Sequence, residues 1–61
     1  MVERGDYLIV EGDGETTRWF VIHVYPHSVI ALQVCAGDYV STQHADEFII
    51  DDHSVRVEVS Q

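Results

Sequence analysis

Four histidines and one cysteine, His23, His27, His44, His53 and Cys35, are the side chains best suited to hold a metal or attack a carbonyl. Structural zinc asks for such residues in paired spacings, C-x₂-C or H-x₃-H, on elements that aim both at one point. His23 and His27 have the x₃ gap, but they flank Pro26 at a strand-turn junction, which does not put them on one face. Cys35 falls beside Trp19 in the strand register preferred below, at the far end of the hairpin from His27 and two strand pairs from His23. A Cys-His dyad needs hydrogen-bond reach. No serine stands in a nucleophile elbow. Asp51-Asp52-His53 offers carboxylates, but a calcium loop needs more oxygens over a longer, spaced segment. Gly12-Asp13-Gly14-Glu15 is glycine-rich, yet no lysine or helix follows to make it a phosphate loop. The sequence therefore assigns no catalytic residue, metal or cofactor, and the chain is not read as an enzyme. His23 stands apart because it interrupts an apolar strand. At an interface, an imidazole with its ordinary pKa of about 6.5 could respond to pH.

The elements that must position these residues centre on Thr16–Ala36, which reads as two strands folded about Pro26-His27-Ser28. Side chains alternate along a strand, so Phe20, Ile22 and Val24 share one face, and Trp19, Val21, His23 and Tyr25 the other. The second arm divides into Ile30, Leu32 and Val34 against Val29, Ala31, Gln33 and Cys35. A two-residue loop would pair Phe20 with Gln33 and Ile22 with Ala31. A three-residue loop would pair Phe20 with Val34, Ile22 with Leu32 and Val24 with Ile30. Only the second gathers six large apolar side chains on one side, each worth roughly 1.5–3 kcal/mol when buried. The expectation is that this set forms the core and that the Trp19 face is either wrapped inside a bent sheet or left as an interaction surface.

The remainder of the chain reads as short strands and tight turns. Met1 to Gly5 is a loose lead-in, Gly5-Asp6 turns, and Asp6 to Glu11 is a strand apolar on both faces, Leu8 and Val10 against Tyr7 and Ile9, and hence central or sandwiched. Gly12 to Glu15 reverses the chain. After the hairpin, Gly37-Asp38 turns again and Tyr39 to Ser41 is a short strand. Residues 42–47 break the period-two pattern, and Thr42 followed by Ala45, Asp46 and Glu47 reads as one short helical turn. Phe48 to Ile50 is extended, Asp51 to His53 turns, and Ser54 to Val59 is a strand with Val55, Val57 and Val59 inward, before Ser60 and Gln61 fray. The fold class is all-β, with about five to six antiparallel strands and one domain over residues 1–61. A long central hairpin, a helical turn and a final strand resemble a small SH3-like barrel, a likeness of fold that implies no activity.

Composition bounds the function. At 61 residues the chain buries only about 60% of its unfolded surface, and its single cysteine permits no internal disulfide, which favours a homo-oligomer or a partner. Eleven acids against Arg4, Arg18 and Arg56, with no lysine, give a net charge of −8. Phosphate neutralisation needs many more cations, so direct nucleic-acid binding and docking on an anionic membrane are not expected. A basic protein partner is. An acidic surface adapted to high salt would have the same composition. Met1–Asp6 lacks the basic start and apolar run of a signal peptide, so a cytoplasmic, reducing setting is expected. The function expected is that of a small acidic protein-binding module, for instance a mobile-element inhibitor of a basic nucleic-acid-handling protein that acts by carboxylate mimicry or surface occlusion. A self-associating structural protein is the alternative. Its partner-binding residues are expected to be Trp19, Val21, His23 and Tyr25, with Glu11, Asp13, Glu15, Asp51 and Asp52 as the acidic surround.

Overall fold

Turn chemistry sets the chain's reversals. Asp13 and Gly14 both take positive φ, 52° and 75°, the pairing a two-residue hairpin requires to match the twist of its strands. They join β1 (Tyr7–Gly12) to β2 (Glu15–Val24) in the register Tyr7↔Phe20 to Gly12↔Glu15. The second hairpin closes around Pro26-His27, where the Tyr25 N–H donates to the Ser28 carbonyl at 2.8 Å, and opens into β3 (Ser28–Cys35). A single 3₁₀ turn, Ala36–Asp38, with Gly37 and Asp38 at positive φ, leads to β4 (Tyr39–Ile49), and β5 (Val55–Val57) returns to pair with β1. In this computed structural model, which describes residues 2–59, the five strands form one open antiparallel sheet in the order β4-β3-β2-β1-β5. The fraying expected of Ser60 and Gln61, and the Met1 end of the lead-in, lie outside the described residues.

The register of the long hairpin is neither of the two expected. Near the turn Val24 pairs with Val29 and His23 with Ile30, as the shorter loop dictates. An irregularity between Val21 and His23 then leaves Ile22 unpaired, and the ladder continues as Val21↔Ala31, Phe20↔Leu32, Trp19↔Gln33 and Arg18↔Val34. This is a one-residue β-bulge. It moves His23 to the face of Phe20 and Ile30, and the buried face is the opposite of the one expected. Leu8, Val21, Val29 and Ala31 are fully buried and form the core with Val2, against which Val10, Trp19, Phe48, Ile50 and Val55 pack. Phe20, Ile22, Ile30, Leu32 and Val34, the expected core, are only partly buried, and Val24 is exposed.

Packing accounts for the reversal. One cluster draws residues from every strand of the sheet. Apart from Leu8, its buried members, Val2, Val21, Val29 and Ala31, are small or β-branched. Trp19 on β2 and Phe48 on β4 flank β3, and their rings meet edge to face with centroids 4.8 Å apart. The cross-strand registers place Ala31 midway between them, where a methyl group leaves room for both rings.

Three further expectations are corrected. The lead-in is anchored: Val2 is buried, and the Gly5 N–H donates to the Val21 carbonyl at 2.9 Å. Residues 42–47 belong to strand β4, not to a helical turn. The broken pattern there is a bulge, because Leu32↔Ala45 is followed by Val34↔Val40, with the Ser41 hydroxyl bonded to the Gln43 N–H and the His44 ring across it. The last strand is short. Val55 faces the core, but Val57 and Val59 are 40% and 77% exposed.

The inverted faces give opposite responses to substitution. Leu8→Ala should cost about 2–5 kcal/mol and Ala31→Leu about 1–3 kcal/mol by forcing Trp19 and Phe48 apart. Leu32→Ser should cost less than either. Urea denaturation followed by tryptophan fluorescence measures all three, and a larger loss at Leu32 than at Leu8 would restore the expected core.

Candidate functional site

Cross-strand partners share a face of a sheet, so the registers lay out the outer face row by row. Tyr7, Phe20, Leu32 and Ala45 form one row, and Ile9, Arg18, Val34 and Val40 the next. His23, Ile30 and Glu47 form a third beyond the bulge. None of these residues is buried. The result is a half-exposed apolar surface over four strands, interrupted by Arg18 in the second row and by His23 and Glu47 in the third, with Phe20 and Leu32 at its middle and the Tyr7 and Phe20 rings 5.3 Å apart and tilted.

The bulge divides the four residues expected to anchor a partner. Trp19 and Val21 turn inward. Val21 is fully buried, and Trp19 packs on Phe48 while its Nε1–H donates to Thr17 Oγ1 at 2.9 Å. Val21 thus has no exposed surface, and Trp19 is half-buried on the core face. His23, by its pairing with Ile30, lies on the outer face, and its ring stacks on exposed Tyr25 with centroids 5.9 Å apart. Of the residues on this face, Phe20, Ile30, Leu32 and Val34 were read as interior, and Tyr7 and Ile9 were not named as site residues. A shallow cleft of about 330 Å³ opens at the bulge end of this face, lined by Arg4, Gly5, Phe20, Val21 and Ile22.

Charge surrounds the apolar surface. Arg18 holds Glu58 with two bonds, Nε to Oε2 at 2.8 Å and Nη2 to Oε1 at 3.1 Å, and Asp38 with a third at 2.9 Å. Its guanidinium carbon lies 4.1 Å from the centroid of the Tyr7 ring. The hydrogen bond to Glu58 raises the Arg18 pKa above its ordinary value, against the opposing effect of desolvation. Arg56 pairs with Glu11 at 2.9 Å. Among the described residues Arg4 forms no ion pair. Of the acids expected around the site, Glu11 is thus engaged by Arg56. Asp13 and Glu15 are exposed at the β1–β2 turn, and Asp51 and Asp52 at the β4–β5 turn. The two acidic pairs sit at different turns and do not form one cluster.

Metal-ligating and nucleophilic side chains are dispersed. Cys35 is exposed at the end of β3, and His44 is held by Ser41 at 3.0 Å. Among the described residues no group of three His, Cys, Asp or Glu side chains is placed to hold a metal ion. No helix among them is long and apolar enough to cross a membrane. No family model matches the chain, and no match was found among the curated proteins or the solved structures compared with it. The arrangement offers surface binding: an apolar patch, a shallow cleft and an acidic surround.

Asp52 makes the β4–β5 turn sensitive to acid. Its Oδ1 accepts the Ser54 hydroxyl at 2.7 Å and the Ser54 N–H at 2.9 Å. These bonds favour the ionised form and hold the carboxyl below its ordinary 3.8. Since the native value is the lower one, the stabilisation is fully present above pH 3.8 and is lost as pH falls through the native pKa. Ser54→Ala removes the hydroxyl donor, the larger of the two causes, so the Asp52 titration followed by NMR should move up toward 3.8. An unmoved midpoint would show that the hydroxyl contributes nothing.

Proposed function

We propose that this chain is a protein-protein interaction module that docks a basic partner on the outer face of its sheet. The observation that carries this reading is the half-exposed outer face of Tyr7, Ile9, Phe20, Ile30, Leu32 and Val34 on a molecule with a net charge of −8. Apolar patches of this extent on small soluble domains mark interaction sites, and aromatic residues at their centre are typical anchors. The cleft beside Phe20 and Ile22 would receive an apolar side chain of the partner, and the acidic surround would speed encounter and reject other acidic proteins.

We read the strand order, in which β5 pairs with β1, as a curled SH3-like sheet. The contact of Trp19 with Phe48 across β3 supports that reading. On this view the protein acts in the cytoplasm by binding, not by catalysis, and an inhibitory role against a nucleic-acid-handling protein follows from its charge. Occlusion suits the geometry better than carboxylate mimicry, because Glu11, Asp38 and Glu58 are held by arginines. Self-association through the same face is the alternative, but it would bring −8 against −8.

Affinity capture from the cells that express the protein tests the reading, with Phe20→Ser and Leu32→Ser as comparators. The captured protein should be basic, each substitution should weaken it tenfold or more, worth about 1.4 kcal/mol, and binding should fall with salt. Equal retention by the variants would remove the outer face as the docking surface. Light scattering across a concentration series addresses the alternative, since a protein held by its own copies would grow in mass with concentration and with added salt.

A further inference from the structure

The β4 edge of the sheet presents a second surface, independent of the outer face. Beyond the bulge, the Ile50 N–H donates toward β3, to the His27 carbonyl at 3.2 Å. Backbone groups alternate sides along an antiparallel strand, so Phe48 and Asp46 also pair inward, and the N–H and C=O groups of Ala45, Glu47 and Ile49 point away from the sheet. Two of these groups are occupied locally: the Glu47 N–H donates to Asp46 Oδ1 at 2.8 Å, and the Ile49 carbonyl accepts the Asp52 N–H at 3.2 Å. A free edge invites strand addition, and proteins commonly guard it with lysine, proline or a bulge. Here the bulge at 41–44 guards one part, no lysine or proline stands in β4, and a carboxylate folded onto its neighbour's N–H guards the rest.

We infer that Ala45–Ile49 is a strand-addition site for a basic extended peptide, with Asp46 as the selector. A carboxylate closing the edge can be drawn away by a cation. A lysine or arginine on the incoming strand pairs with Asp46, frees the Glu47 N–H, and lets a peptide carbonyl take it. A neutral or acidic strand has nothing to exchange for that carboxylate. Glu47, whose Oε2 accepts the Ser28 hydroxyl at 2.7 Å, and Asp51 in the turn that follows β4 add negative charge near the same edge. A second copy of the chain is a poor occupant, because antiparallel pairing of two β4 edges centred on Glu47 sets like charges directly opposite one another. The partner's basic character rests on the reading above, but the edge and the outer face are different surfaces and separate in the experiment.

The probe is the acetylated, amidated peptide Val-Lys-Val-Lys-Val, titrated into the ¹⁵N-labelled full chain, with Val-Glu-Val-Glu-Val as control. The lysine peptide should shift the Ala45, Glu47 and Ile49 amides and slow their hydrogen exchange about tenfold or more, and the glutamate peptide should do neither. Ala45→Pro removes an outward N–H without touching the β3 ladder and should abolish the response. Amide dispersion reports whether that variant is folded, and a synthetic chain with N-methylalanine at position 45 serves if it is not. Phe20→Ser should respond as the unmodified chain does. Shifts confined to the outer face that are lost in Phe20→Ser would overturn the edge site while leaving the docking face intact. Equal response to both peptides would overturn the selector role of Asp46. No response at millimolar peptide, or protection of the same amides by self-association without peptide, would overturn the site itself.

Discussion

The packing of one buried cluster governs this structure. In so short a chain it must reach interior density without voids or overlap. Leu8, Val21, Val29 and Ala31 are fully buried, with Trp19, Phe48 and Val55 packed against them. The transfer free energy of a large side chain favours burial wherever burial is geometrically available, but overpacking costs as much as the gain from one such side chain. The six-residue set Phe20, Ile22, Val24, Ile30, Leu32 and Val34 stays partly or largely exposed, while the opposite face joins Leu8, Trp19, Val21, Val29, Phe48 and Val55 in one cluster. Packing against β1, β4 and β5 therefore decides the face, and β2 meets β3 through the bulge at Ile22.

That explains what could be read from the residues alone. The reversals at Asp13-Gly14 and Gly37-Asp38 were legible because positive φ leaves few residue choices. The central position of β1 was legible because both its faces are apolar, and it indeed lies between β2 and β5. The bulges were not. Ile22 carries no glycine or proline to mark an extra residue, and a one-residue shift exchanges every side chain between faces. The break after Ser41 was visible, but a loss of alternation is the same signal for a helical turn and for a bulge. Val57 and Val59 alternate as core residues do, but they lie at an edge where the inner face runs out. For the candidate site, the residue types were recognised and the face was not: Phe20 and Leu32 were assigned to the wrong side with Trp19 and Val21.

The few cations are spent inside the molecule. Arg18 joins β2 to Glu58 beyond β5 and to Asp38 in the 3₁₀ turn while covering the Tyr7 ring, and Arg56 holds Glu11. A planar guanidinium suits this task because it can grip a carboxylate with two bonds and still stack on an aromatic face. Two of the three arginines thus tie the C-terminal strand to the centre of the sheet, and the surface they leave is acidic on almost every turn. Arg4, at the mouth of the cleft, is the exception.

A small core and a large apolar outer face are two sides of one constraint. The core takes Leu8, Trp19 and Phe48 from the other face, and Phe20, Ile30, Leu32 and Val34 stay only partly buried, so their burial free energy is only partly realised. A partner that covered them, as proposed above, would supply the missing burial, and anything that binds the native state alone stabilises it by mass action. The acidic surround would work in the same direction: self-repulsion between like charges weakens a compact state, and a basic partner would relieve it as the apolar face was covered.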